Sequence, residues 1–208
     1  MTFTGFSKED FDTFHIGGLE ARMEAIQTRI QPKFKTISDN LLEELAMQAG
    51  EELFLHIAKH ARRTVNAPVD TWMAFSNNKR GYKQHPHFQI GLFDDHVFIW
   101  LALIYELPNK TAIANQFLQQ FSKIKKTIPT DFMLSFDHMK KDAALIADLT
   151  DQEFKKGLER FRDVKKVELL LGRQIKMEDP LLKDGQGFLQ TAKDTFQSLI
   201  PLYKMAFV

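Results

Sequence analysis

Between His56 and His87 the chain concentrates the residue types that recognise anions. His56, His60, Arg62, Arg63, Trp72, Lys79, Arg80, Tyr82, Lys83 and His87 are the candidate ligand-binding residues. With Lys59, the stretch holds six Lys/Arg against one acid, Asp70, and four of the seven histidines. The whole chain is net +1, so a segment at +5 leaves the remainder at −4. Six cations cannot be buried unpaired, because desolvating each one alone costs many kcal/mol. Asp70 cannot neutralise them, and help from Glu106 or Glu168 would still leave the segment positive.

Arg and Lys beside a Trp and a Tyr suit phosphates and bases. A charge-assisted hydrogen bond contributes ~1.5–3 kcal/mol, and aromatic faces stack on bases. The expected ligand is an anionic small molecule or nucleic acid, with Arg62, Arg63, Lys79, Arg80 and Lys83 on phosphates and Trp72 or Tyr82 stacking. A second reading is an enzyme, with His56, His60 or His87 as acid/base or metal ligand in phosphoester chemistry. His56/His60 and His85/His87 are evenly spaced and could share strand faces, but no strict ligand motif such as H-E-x-x-H accompanies them, and no metal is assigned. Ser76 lies in no G-x-S-x-G elbow, and no Walker loop or G-x-G-x-x-G is present, so no catalytic residue or cofactor is assigned. A third reading is an interaction protein whose basic face meets an acidic partner. Ordinary packing competes with all three: Lys and Arg in turns are commonly just solvated, Trp72 could be core, and Arg62 and Arg63 could pair with acidic helices.

Elements of period two must position these residues. Leu53, Leu55 and Ile57 alternate with Phe54, His56, Ala58 and His60 as a half-buried strand. Val69–Asn77 repeats the pattern, opposing Thr71, Met73 and Phe75 to Trp72, Ala74 and Ser76. His87–Phe93 opposes Phe88, Ile90 and Leu92 to His87, Gln89 and Gly91. If the three share a sheet, His56, His60, Trp72, Ser76, His87 and Gln89 fall on one face, opposite the core. Asp94-Asp95 turns the chain into Val97–Tyr105, apolar on both faces and therefore a central strand. Phe132–Phe136 and Val167–Ile175 read as further strands.

Helical spacing flanks this sheet. Ser7 and Asp10 form a capping box before a helix through Phe14. Leu19, Met23, Ile26 and Ile30 predict a helix ending at Pro32. Ser38 would cap a third helix that stops at Gly50. Ile113–Ile124 predicts a helix ending at Pro129, Thr150 with Glu153 caps another, and the last runs through Phe188, Ala192, Phe196 and Leu199. Asn109-Lys110-Thr111 fits a glycosylation pattern that a cytoplasmic chain would not use. This order predicts a single α+β domain over residues 1–208, with a largely antiparallel sheet of about five to six strands flanked by helices.

The totals bound the function. A chain of 208 residues is one domain by default, burying about 70% of its extended surface. Nineteen Phe suggest a core of aromatic wedges. The absence of cysteine excludes disulfides, zinc–thiolate sites, iron–sulfur clusters and thiol nucleophiles. The N-terminus lacks the apolar region of a secretory signal, and the longest apolar run is far short of the ~20 residues of a membrane helix, so a cytoplasmic location without membrane contact is expected. A pI near 7.9 is below the value above about 9 typical of a dedicated nucleic-acid-binding domain.

Two runs, H-I-A-K-H-A-R-R-T-V-N (His56–Asn66) and N-K-R-G-Y-K-Q-H-P-H-F-Q-I-G-L (Asn78–Leu92), resemble those of the YktB-like family of small uncharacterised bacterial proteins. D-T-W-M-A-F (Asp70–Phe75), L-E-A-R-M (Leu19–Met23) and K-K-V-E-L-L-L-G-R (Lys165–Arg173) extend the resemblance over nearly the whole chain. It implies one α+β domain in a bacterial cytoplasm. It carries no activity and no catalytic residue.

Overall fold

A computed structural model describes residues 2–208. Its strands are β1 (Phe54–Ile57), β2 (Thr71–Ser76), β3 (His87–Leu92), β4 (His96–Leu103), β5 (Met133–Ser135), β6 (Ala144–Leu145) and β7 (Leu169–Lys176). They form one sheet in the order β1-β2-β3-β4-β7-β5-β6, with every pairing antiparallel. The sheet has seven strands, slightly more than expected. The unforeseen one, β6, is two residues long, too short to show a period. β4 is central and buried at every residue, as its two-faced apolar pattern requires.

Met73, Phe75, Phe88, Ile90, Val97, Ile99 and Leu101 line the sheet face under the helices and join one large core. Phenylalanines wedge this layer together: Phe88 lies 4.9 Å from Phe196 and stacks on Tyr203 at 4.8 Å. Each such pair contributes about 0.5–1.5 kcal/mol beyond the area it buries. Helix α7 (Gly185–Met205) packs on α3 (Gln31–Ala49) and on β4 and β7. Helix α4 (Lys110–Gln119) packs on α6 (Asp151–Asp163). Thr150 opens α6 with its capping box, the Glu153 amide donating to its hydroxyl at 3.2 Å and its own amide donating to Glu153 at 2.9 Å.

Three helix boundaries differ from expectation. Helix α2 (Leu19–Ala25) does not stop at Pro32 but runs through a π turn (Ile26–Ile30) directly into α3. Pro32 has no N–H to give and falls just after the π turn, where the usual ladder is already shifted, so the helical path survives it. Ser38 is therefore no cap: it is buried in the middle of α3. The segment after Lys110 breaks at Gln120, giving α4 and a separate α5 (Phe121–Thr127). Gly50 does end α3, in the left-handed conformation at φ 81°.

The sheet's other face is not solvated either. Trp72, Ala74, Phe98, Trp100, Ala102 and Leu170 form a second, smaller core, joined by Ala58, Phe93, Ile104 and, half-buried, by Tyr82, Met133 and Ala143. Hence β2 and β3, read as half-buried, are buried throughout. Gly172 on β7 has φ 154°, and a side chain there would run into the Ile99 carbonyl of β4.

Candidate functional site

The second face is where the strand pattern places the candidate residues. β1 to β3 pair in register, His56 opposite Ala74 and Ala74 opposite Gln89, which sets His56, Trp72, Ser76, His87 and Gln89 on one side. Trp72 is the hub. Its indole N–H donates to the Tyr82 hydroxyl at 2.9 Å, and the His60 and His138 rings stand edge-on to it at 5.6 and 5.8 Å. Tyr82 in turn touches the rings of His87 at 4.9 Å and His56 at 5.3 Å.

The histidines of this nest have different protonation preferences, each with a physical cause. His87 is fully buried; its Nδ1–H donates to the His85 carbonyl at 2.7 Å, leaving Nε2 to accept from the Gln89 amide at 2.8 Å. Burial pulls its pKa down to about 3, so it is neutral near pH 7. His60 is pulled down to about 4 by burial and then by Arg63 and Lys83. His138 goes the other way. It loses to burial, but its Nδ1–H and main-chain N–H both donate to Glu168 Oε2 at 2.7 Å, and the net effect raises its pKa.

Asp70 is fully buried, and among the described residues neither carboxylate oxygen has a hydrogen-bond donor. Burial raises its pKa to about 6 against the opposing pull of His138 and Arg63. Burial likewise pushes the Tyr82 phenol up to about 12. The Tyr82 phenol therefore stays neutral near pH 7 while its oxygen accepts from Trp72.

Beside this nest lies an open cleft of about 890 Å³ between β1 and the Asn78–His85 loop. Lys59, Arg62, Lys79, Arg80 and Lys83 line it, with His56, His85 and Tyr82 among them and Glu106 as its one acid. Glu106 lies 3.7 Å from Lys83; among the described residues the other four cations form no ion pair. The loop is shaped by Asn78, whose side-chain oxygen accepts from the amides of Arg80 and Gly81 and whose carbonyl accepts from His56 Nε2 at 2.8 Å.

Of the ten candidates, the cleft gathers His56, Arg62, Lys79, Arg80, Tyr82 and Lys83. Trp72, His60 and His87 stand behind it: Trp72 and His87 are buried, so the accessible aromatic surface is that of Tyr82. Arg63 points elsewhere, donating to the Asn66 carbonyl at 3.4 Å. The evenly spaced histidines do not become ligand pairs. β1 ends at Ile57, His60 lies beyond it at φ 49°, and His85 bonds to Asn78. Glu106 does offset part of the positive charge, whereas Glu168 is taken by His138.

Sequence reasoning missed the His138–Glu168 pair, because His138 sits on a loop without periodicity. Asp137, His138 and Glu168 each place a ligand atom within 4.8 Å of the others. The two 2.7 Å hydrogen bonds in that trio join His138 to Glu168, while Asp137, next to His138 in the chain, accepts from the Met139 amide at 2.9 Å.

Together these features define a class: an α+β protein with an antiparallel sheet, helices over one face, and an aromatic, histidine-rich nest opening onto a basic cleft on the other. The chain belongs to the DUF1054 family, described as a domain of unknown function, which matches residues 6–203. It is similar to UPF0637 proteins of several bacteria. It is 57% identical to one from Oceanobacillus iheyensis over 97% of this chain and 96% of that one. Identity is 50% to one from Shouchella clausii over 99% and 96%, and 50% to one from Listeria monocytogenes serotype 4b over 98% of each. The YktB-like resemblance is thereby borne out. Among the described residues no helix is long and apolar enough to cross a membrane.

Proposed function

We propose that this protein binds an anionic, phosphate-bearing ligand, a nucleotide or RNA segment, in the basic cleft. The observation that supports it is the convergence of Lys59, Arg62, Lys79 and Arg80 on one concavity, with no acidic partner of their own among the described residues. Like charges held together this way repel, and an anion relieves the repulsion. The cleft volume falls within the ~300–1,000 Å³ of small-molecule sites. Lys83 is partly offset by Glu106, so it sets orientation more than affinity. His56, with its pKa lowered chiefly by burial, contributes as a neutral hydrogen-bonding ring.

A thermal-shift screen against nucleotides, short RNA, inorganic phosphates and a neutral sugar control tests this at low and high salt. A phosphate-bearing ligand present at about 100 times its dissociation constant stabilises by ~2.7 kcal/mol, which raises the midpoint by roughly 5–10 °C. The shift should shrink at high salt and vanish in the double variant Arg62→Glu with Arg80→Glu. An unchanged shift in that double variant would sink the proposal.

A further inference from the structure

The cleft has a wall that the cations do not explain. β1 is an edge strand. The Ala58 amide donates to the Trp72 carbonyl at 2.9 Å, in line with the register that sets Phe54 opposite Ser76 and His56 opposite Ala74. In an antiparallel ladder, residues of that parity face the neighbouring strand, so the N–H and C=O of Leu55 and Ile57 point outward. Among the described residues no backbone group pairs with them. Both residues line the cleft, while their side chains pack into the helix-side core. What they contribute to the cleft is thus main chain, a donor and an acceptor from each residue.

Tyr82 lines the same cleft, held through its hydroxyl by Trp72 and with the rings of His56 and His87 against it. Beyond it, Lys79 and Arg80 project from the loop. The cleft therefore combines a flat aromatic surface, a row of donors and acceptors, and a group of cations. We infer that its ligand is a nucleotide, with the base between Tyr82 and the free edge of β1, hydrogen-bonded to the main chain of Leu55 and Ile57, and the phosphates on Lys79, Arg80 and Arg62. This rests on the anion-binding reading and adds the base. An acidic peptide could also add to a strand edge. Here the edge offers only two outward residues, enough for one base and short for a strand, and the aromatic face would go unused.

Isothermal titration of the full chain with the four common ribonucleoside triphosphates, tripolyphosphate, ribose 5-phosphate, a single-stranded RNA hexamer and a polyglutamate peptide decides the matter. The best triphosphate should bind at least tenfold tighter than tripolyphosphate, and the four bases should differ among themselves. Leu55→Pro removes one outward N–H and leaves the ladder bonds of β1 intact, a change edge strands tolerate. It should bring the preferred base to within threefold of the others, with tripolyphosphate affinity unchanged. Should that variant not fold, Ile57→Pro makes the same test, and the wild-type comparison of bases needs no variant. A hexamer that binds tighter than any mononucleotide identifies the source as RNA; a weaker one identifies the free nucleotide. Equal affinity for tripolyphosphate and all four triphosphates would overturn the base inference and leave anion binding standing. Preference for polyglutamate would overturn it in favour of a peptide. No binding by any phosphate compound would overturn both.

Discussion

Asp70 has a carboxyl group with neither solvent nor a donor, and such a group is tolerated mainly because it can take up a proton. With its pKa raised to about 6, the folded protein binds a proton between roughly pH 4 and 6 that the unfolded chain has already released. Its contribution to stability is therefore full below that window and falls as pH rises through it, a change of about 2–3 kcal/mol. We expect Asp70→Asn to stabilise the protein at pH 7.5 by about 1–2 kcal/mol and to lose that gain by pH 4.5, as read from urea unfolding; an equal effect at both pH values would contradict the assignment. His87 and His60 act with the opposite sign. Their lowered pKa values stabilise above the unfolded value near 6.5, and that stability is lost as pH falls toward about 3 and about 4. Removing Asp70 should thus steepen the loss of stability on acidification. The sequence displayed Asp70 as the lone acid of a basic stretch, but a one-dimensional pattern carries no sign that it would be buried without a donor. Nor could it show that the partner of Glu168 would be His138, thirty positions away.

Lys110 opens α4 and is buried, with its ammonium donating to the carbonyls of Val164, Lys165 and Val167 at 2.7, 3.0 and 2.9 Å and lying 5.2 Å from the centre of the Phe161 ring. These carbonyls belong to the cap of α6 and the turn that follows it, so Lys110 pins the exit of α6 to the start of α4. Lys110→Met should cost about 3 kcal/mol, because three charge-assisted hydrogen bonds from a buried ammonium are lost, and should lower the thermal midpoint by roughly 5–10 °C with no change in ligand affinity. In the sequence this lysine is only the middle of an Asn-Lys-Thr triplet. Elements with a long regular pattern were legible: β2, β3, β4, β7, α6 and α7 stand close to where their periods put them. What was not legible depended on the third dimension. Pro32 carries the general rule of a helix stop, and the π turn beside it exempts it. β6 exists only because β5 offers it an edge. The common face of His56, Trp72, His87 and Gln89 followed from the period of two, while the division into an open cleft and a closed nest came from the loops laid over that face.

At the scale of the molecule, charge is nearly balanced at net +1 yet unevenly placed. The helices hold acids and cations in similar numbers, whereas the cleft sets Lys59, Arg62, Lys79 and Arg80 side by side without an ion pair among the described residues. Ligand binding should accordingly respond to ionic strength much more than folding does. Raising salt from about 0.05 to 0.5 M should weaken binding by at least roughly tenfold, because exposed charges are screened while the core is not. A salt-independent dissociation constant would argue that the cations of the cleft do not touch the ligand. The chain has two tryptophans, and both, Trp72 and Trp100, lie in the smaller core on the cleft side of the sheet. Indole emission from this protein consequently reports on that face alone, and the helix-side core is silent in it. Trp72 is hydrogen-bonded to the tyrosine that walls the cleft and flanked by two imidazoles, and Glu168 lets one of them, His138, keep its charged, quenching form to higher pH than a free imidazole. Any ligand that shifts Tyr82, and any pH change that discharges His138, will be visible in the fluorescence of the unlabelled protein.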